Sequence, residues 1–309
     1  MLPIGNLKMR HSKPLTLYRG RFAPSPTGPL HLGSLVAAVG SYLDAKSNQG
    51  KWLVRIDDLD TPRVVPGASS HILKTLDSLG MEWDGEVIYQ SQRDDIYREA
   101  MSLLYKMALI YPCTCTRKEI ADSSIVGISG LVYPDTCRNN LPTPGKQYAW
   151  RIKTKNDPIL FQDSLSGSIC QTLHRDVGDF VLQRADGVYA YQLAVVIDDA
   201  EQNITHVIRG ADLMDSTPRQ IYLQQLLGYP VPDYMHLPVM TDQSGNKLSK
   251  QTQAEPIDLS NAIAQLVIVL RFLGQEPPEE LRESDLPSFW QWAVDNWRPE
   301  KIPRQILLE

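Results

Sequence analysis

The sequence predicts an α/β protein built on a doubly wound sheet. Two observations carry that expectation: short apolar segments alternate with helix-like segments over residues 17–107, and Gly50 and Gly80 close the first two of those helix-like segments. A third is the stretch RFAPSPTGPLHLGS, Arg21 to Ser34, which leaves the first strand through three prolines and a glycine. It lies at the carboxyl end of a strand, where such sheets bind their ligands.

The elements follow in order. LYRGRFA (17–23) reads as a strand, LGSLVAAVGSYLDAKSNQG (32–50) as a helix closed by Gly50, and KWLVRIDD (51–58) as the next strand. A helix over Gly67–Leu79 ends at Gly80, VIYQS (87–91) is a strand, and Arg93–Met107 is a helix, giving βαβαβα. From Leu109 to Lys146, Cys, Pro, Gly and Asn crowd together and mark an insertion between two halves of the core. YAWRIKT, DFVLQR and YAYQLAVVIDD then read as β-like. STPRQIYLQQLLG reads as a helix with Ser216 as N-cap and Pro218 in its first turn. HLPVM is a strand leading into the polar loop TDQSGNKLSKQ, and a helix at Ile263–Leu273 with the Trp-rich SFWQWAVDNW forms a small helical C-terminal appendage. The expected divisions are 17–108 for the first half of the nucleotide-binding core, 109–150 for the insertion and 151–240 for the second half with acceptor-facing segments. The polar loop and helical region take 241–309.

Composition narrows the function classes. With 309 residues and 42% hydrophobic content the chain can bury a sizeable core, and no run of eighteen apolar residues could cross a bilayer. The N-terminal MLPIGNLKMRHSKPLTLYRG has no secretory pattern. A net charge of −5 argues weakly against nucleic acid, but from Gln251 onward there are ten acidic and five basic residues, so the first 250 balance at 26 of each. A local basic groove is compatible with a neutral body. Four cysteines are too few for a disulfide scaffold and fit a reducing cytoplasm. Nothing in the sequence indicates a membrane or an obligate protein partner.

Two stretches carry chemistry. The N-terminus of the helix after Pro29 offers unsatisfied N–H groups and a partial positive charge; Gly28 and Gly33 let a ligand approach, and His31 points at the anion. A Pro-Gly turn with a surface histidine is the plain alternative. In GNKLSK, Lys247 and Lys250 bracket Ser249, and two ammoniums can follow polyphosphate charge as a bond breaks. Each is weak alone, and together, in this order, they are strong.

These stretches resemble the two signatures of class I aminoacyl-tRNA synthetases, usually written HIGH and KMSKS, here His31-Leu32-Gly33-Ser34 and Lys247-Leu248-Ser249-Lys250-Gln251. The resemblance runs from about Tyr18 to Gln251 and narrows to the glutamyl branch through RFAPSPTGPLHLG, RIDDLDTPR, YQLAVVIDD and HVIRGADLMDSTPRQ. It implies a Rossmann-type catalytic core, ATP with Mg²⁺ held by His31, Gly33, Ser34, Lys247, Ser249 and Lys250, and catalysis by His31, Lys247 and Lys250. The family's L-glutamate pocket falls on Arg21, Ser25, Asp57, Tyr191 and Arg209, where two guanidiniums and an acid match two carboxylates and an ammonium. Two positions depart from the pattern: Asp57 stands where Glu is usual, and Ser34 replaces the final His of the first signature.

Only 58 residues follow Gln251, short for an anticodon-binding region, and the chain resembles the truncated subfamily of glutamyl-Q tRNA(Asp) synthetases. That resemblance implies transfer of glutamate to queuosine at the wobble position of tRNA(Asp). A short glutamyl-tRNA synthetase charging the 3′ end of tRNA(Glu), and a catalytically silent RNA-binding paralogue, are the rival readings. In the insertion, Cys113, Cys115 and Cys137 lie within twenty-five residues of one another, a spacing shared by zinc sites and ordinary buried thiols. The subfamily resemblance implies one structural Zn²⁺ with Tyr133 as fourth ligand. Cys170 lies in a separate β-like segment and reads as structural.

Overall fold

A computed structural model describes residues 17–127, 130–240 and 255–304. In chain order the first elements are β1 (Arg19–Phe22), α1 (Leu32–Ser47), β2 (Lys51–Ile56), α2 (Ala68–Ser78), β3 (Ile88–Tyr89) and α3 (Asp94–Lys106). Next come β4 (Ile110–Cys113), α4 (Arg117–Ser123), β5 (Val126–Gly127), β6 (Gly130–Leu131), β7 (Ala149–Ile152), β8 (Ile159–Asp163), β9 (Gly167–Gln171), α5 (Leu173–Asp176) and β10 (Val181–Gln183). The remainder is α6 (Tyr191–Glu201), β11 (His206–Gly210), α7 (Thr217–Leu227), β12 (Asp233–Leu237), α8 (Ala262–Phe272) and α9 (Leu286–Asp295).

β1, β2 and β3 pair in parallel. β11, β12 and β8 do the same, with β9 added antiparallel at the edge. The two sheets meet where β1 lies beside β11: the Thr205 N–H donates to the Arg19 carbonyl at 2.9 Å, and the Arg19 N–H to Thr205 Oγ1 at 2.8 Å. From β1 the chain crosses to β2 on one side, and from β11 it crosses to β12 on the other. The carboxyl ends of β1 and β11 therefore flank the point where strand order reverses, which opens a crevice there.

Two cores cover the two faces. One gathers Leu35 and Leu43 of α1, Trp52, Ile72 and Leu76 of α2, Leu270 of α8 and Phe289 of α9. The other gathers Tyr97 and Leu104 of α3, Leu193 and Val196 of α6, and Ile221 and Leu223 of α7. Because α8 and α9 share the first core with α1, the C-terminal helices are a packed layer and not an appendage.

Three further readings change. YAYQLAVVIDD forms helix α6, although the Val195-Val196-Ile197 run favours strand by propensity; every residue from Leu193 to Asp199 is buried, so no polar face shows helical periodicity. Ser216 makes no capping bond to α7; its Oγ accepts from Gln192 Nε2 at 3.0 Å instead. Cys170 is exposed on β9. The stretch read as an insertion also begins in regular structure, since β4 pairs antiparallel with β7, which pairs with β10.

Asp44 ties the first core together. Its carboxylate accepts from the Tyr18 hydroxyl and, at 3.1 Å, from Trp297 Nε1, joining the start of β1, α1 and the C-terminal segment. Asp44→Ala leaves two buried donors without acceptors and should cost roughly 2–5 kcal/mol in urea unfolding. The crevice lies elsewhere, so the folded variant should keep ATP affinity.

Candidate active site

The crevice is an open cleft of about 720 Å³ walled by Arg21, Ser25, His31, Gly33, Ser34, Tyr191 and Arg209, among others. Each wall has a local cause. Gly28 at φ +140° turns the chain after β1, a conformation that other residues rarely adopt. His31 then caps α1. Its Nδ1 accepts the Ser34 N–H at 3.3 Å, while Ser34 Oγ accepts the His31 N–H at 2.8 Å. Ser34, which departs from the usual signature, is thus the reciprocal half of a capping box. The first turn of α1, with N–H groups that have no acceptor one turn back, faces the cleft.

Lys247, Ser249 and Lys250 lie outside the described residues. Their described flanks border the same crevice: Pro238 and Val239 line it, and on the other side the Ile257 N–H donates to the Leu30 carbonyl at 3.0 Å.

Arg21 and Arg209 are both buried, at 3% and 5% exposure, but their electrostatics differ. Arg21 is paired: its Nε lies 3.1 Å from Asp199 Oδ1 and its Nη2 3.2 Å from Asp199 Oδ2. Asp199 also accepts from Arg55 Nη1 at 2.7 Å, and Arg55 Nε donates to Asp57 at 2.8 Å. Asp198 accepts from Gln90, Arg93 and Tyr97. Arg55 Nε also lies 3.8 Å from Asp198 Oδ2, so three arginines and three aspartates form one charge-balanced network, buried except for the half-buried Arg93. Burial opposes ionisation of Asp199, but Arg21 and Arg55 outweigh it and hold the carboxyl below its ordinary range.

Arg209 has no carboxylate partner among the described residues. All of its guanidinium nitrogens are nonetheless engaged by neutral acceptors: Nε by His236 Nε2 at 3.1 Å, Nη1 by Gln220 Oε1 at 2.9 Å and Nη2 by Thr217 Oγ1 at 2.7 Å. Longer contacts of 3.4 Å run to the Tyr191 hydroxyl and the Leu213 carbonyl, both on the cleft wall. A buried cation whose weakest bonds face an open cleft has the chemistry to receive an anion.

Asp57 does not line this cleft; its carboxylate is turned into the network behind it. Asp163, Asp199, Thr217, Gln220 and His236 were not anticipated. Asp199 had a signal in the adjacent acids that end the apolar run of YQLAVVIDD, whereas Gln220 and His236 had none.

In the insertion, the Sγ atoms of Cys113, Cys115 and Cys137 lie within 4.8 Å of one another. The Tyr133 hydroxyl is 3.3 Å from Cys113 Sγ and 3.7 Å from Cys115 Sγ, and Cys115 and Cys137 Sγ are 3.4 Å apart. Bonds of about 2.3 Å to a tetrahedral ion put sulfurs roughly 3.8 Å apart, so a three-sulfur, one-oxygen set fits zinc. Burial opposes the Cys137 thiolate, but the Thr114 N–H, Cys115 and Tyr133 bring that thiol down to about 7.

Comparison with known proteins shows the family. A family model for the catalytic domain of class I tRNA synthetases (E and Q) matches residues 18–262. The chain is 56% identical to the glutamyl-Q tRNA(Asp) synthetase of Dechloromonas aromatica over 94% of its own length and 97% of that protein. It is 53% identical to the one from Chromobacterium violaceum over 93% and 96%. The chain belongs to the glutamyl-Q tRNA(Asp) synthetases, within the class I (E and Q) tRNA synthetases. It is therefore a ligase of the aminoacyl-tRNA synthetase type. The glutamate-tRNA synthetase of Elizabethkingia anophelis superposes with a TM-score of 0.78 at 27% identity, covering 94% of this synthetase and 67% of that chain. A methionyl-tRNA synthetase of Mycobacterium tuberculosis shares the fold, with a TM-score of 0.54 at 13% identity.

Asp57 gives this site a pH signature. Burial raises its carboxyl to about 6, with Arg55 pulling the other way. The folded protein therefore takes up this proton before the unfolded chain does, and the contribution of Asp57 to stability falls as pH rises from about 4 to about 6. Asp199 and Asp163, both lowered, act oppositely and lose their contribution only as pH falls through the acid range. Asp57→Asn should remove the downward slope between pH 4 and 6 and raise stability at pH 7 by roughly 1–3 kcal/mol, read from urea midpoints.

Proposed function

We propose that the chain activates L-glutamate with Mg²⁺-ATP and transfers it to the queuosine of tRNA(Asp) in the cytoplasm. The observation that carries this reading is the Arg209 guanidinium, buried with no carboxylate partner among the described residues, in the cleft that the N-terminus of α1 also faces. One feature suits a substrate carboxylate and the other suits phosphate. High identity along nearly the whole length of relatives named for this acceptor supports the choice of RNA.

In the first step a glutamate α-carboxylate oxygen attacks the ATP α-phosphorus. The bond to the bridging oxygen breaks, Mg²⁺-pyrophosphate leaves and glutamyl-adenylate forms. His31 and the first turn of α1 hold the phosphates, with Lys247 and Lys250 following the charge that moves onto pyrophosphate. Arg209 holds a carboxylate, Tyr191 and Ser25 supply hydroxyl contacts, and Arg21 presents its remaining Nη1 from the Asp199 pair. In the second step a cyclopentenediol hydroxyl attacks the acyl carbon, AMP leaves, and the hydroxyl proton passes to solvent. Catalysis of the first step is chiefly positioning and charge stabilisation.

The test combines the protein with Mg²⁺-ATP, labelled glutamate and tRNA(Asp) that carries either queuosine or guanosine. Label should appear only on the queuosine form and stay with the anticodon fragment after nuclease cleavage. Label at the 3′ end of tRNA(Glu) would replace this reading with the short-synthetase one. Absence of adenylate would replace it with the silent paralogue.

We also propose that Cys113, Cys115, Tyr133 and Cys137 hold one structural Zn²⁺, whose four protein ligands leave no position for a reacting water. Elemental analysis of protein purified without added metal should find about one zinc per chain. Gly178, at φ +73°, packs against the Tyr133 backbone, and a Cβ there would sit 2.7 Å from the Tyr133 nitrogen. Gly178→Ala should therefore shift Tyr133 and speed zinc loss to a chelator roughly 10-fold or more.

A further inference from the structure

Arg209 can meet a carboxylate only if its guanidinium stays in one orientation without being neutralised. The residues that secure this lie one and two strands further from the cleft. β11 and β12 are parallel, with Arg209 directly opposite His236, and β8 follows with Asp163 as its last residue. Both groups are fully enclosed, His236 at 2% exposure and Asp163 at 0%.

The donor and acceptor roles along this line have a single consistent assignment. Asp163 Oδ1 accepts the N–H groups of Leu165 at 3.0 Å and Ser166 at 2.8 Å, and Oδ2 accepts the His236 N–H at 3.1 Å. The carboxylate is thus surrounded by donors and acts only as an acceptor. His236 Nδ1, 2.7 Å from Oδ2, must carry the ring proton. Nε2 then bears a lone pair, which is what Arg209 Nε–H requires at 3.1 Å. Thr217 Oγ1 lies 3.1 Å from the same nitrogen and takes Arg209 Nη2 at 2.7 Å. The carboxylate sets the tautomer, the ring relays it, and the guanidinium is gripped on its inner edge by neutral atoms. The negative charge of Asp163 stays one ring away, so the Arg209 charge remains available to the cleft.

We propose that Asp163 and His236 are a positioning pair for the known activity, setting glutamate affinity by orienting Arg209 without neutralising it. The proposal rests on the reading of Arg209 as the partner of a glutamate carboxylate.

The experiment measures KM for glutamate and for ATP in pyrophosphate exchange, with calorimetric glutamate binding and unfolding midpoints alongside, for four variants. Asp163→Asn presents an amide N–H where only acceptors fit, which drives the ring toward the other tautomer and turns Nε2–H against Arg209 Nε–H. His236→Asn keeps a polar group near Asp163 but cannot reach Arg209, whereas His236→Gln extends a carbonyl oxygen to it. Asp163→Asn and His236→Asn should raise glutamate KM about 10- to 100-fold, with ATP KM within about 2-fold, and His236→Gln should stay within about 5-fold of wild type. Equal rises in both KM values, or a His236→Gln variant as impaired as His236→Asn, would reduce the pair to general structural support and overturn the proposal. The fourth variant, Arg209→Ala, separates the two claims. If it abolishes glutamate binding while Asp163→Asn and His236→Asn leave it unchanged, only the positioning role fails; if it binds glutamate normally, the reading of Arg209 fails and the proposal with it.

Discussion

Burying the Arg209 guanidinium with no carboxylate partner among the described residues is the constraint around which the cleft is organised. An uncompensated charge removed from water is costly, and the chain offsets that cost with neutral acceptors supplied by β12, α7, the N-terminus of α6 and the turn after β11. A single aspartate at the same distance would satisfy the guanidinium more simply, but it would also cancel the net charge that the guanidinium carries. Arg21 shows that alternative in the same cleft, since Asp199 already neutralises it. The two arginines are therefore not interchangeable: Arg21 is paired with a carboxylate, whereas Arg209 is held by neutral acceptors.

How much of this was legible beforehand follows from what kind of signal each part leaves. α1 and β2 could be read because Gly50 closes a long apolar helix before an alternating strand, and local chemistry fixes both. His31, Gly33 and Ser34 could be placed at a helix start because prolines and glycine punctuate the chain just before it. α6 could not, because a helix buried on all sides shows no polar stripe and its β-branched residues favour a strand. The packing of α8 and α9 on α1 is a long-range contact that no local pattern encodes. Asp57 was assigned to the pocket by correspondence of position, yet its carboxylate faces Arg55, because three buried aspartates share that arginine.

The sulfur cluster is coupled to the core through the strands that flank it. Cys113 ends β4, and β4 pairs antiparallel with β7, whose Arg151 guanidinium lies 3.9 Å over the Tyr133 ring. Arg151 also donates to the Asp179 carbonyl at 2.7 Å, and Asp179 accepts from Tyr111, Arg138 and Thr154. The cysteine cluster is consequently tied to β7 by the Arg151 cation–π contact with Tyr133 and by the bonds gathered at Asp179. Ordering its loops would hold β4, β7 and β10 in place.

Helix α6 sets the spacing between the two halves of the cleft. Its first residue, Tyr191, contacts Arg209, and its ninth, Asp199, holds Arg21. Eight residues of helix span about 12 Å, a length fixed by backbone hydrogen bonds and insensitive to side-chain rearrangement. Both arginines stand on neighbouring strands, yet each touches a different end of one helix whose middle, Leu193 to Asp199, is buried. A substrate with two carboxylates needs its partners at a defined separation more than it needs them strongly attractive. The sheet brings the two arginines near each other, and α6 fixes how far apart their working edges are. The residues that made α6 unreadable as a helix, an unbroken apolar run ending in two aspartates, are the ones that hold this rod in the core with its acids locked onto arginines.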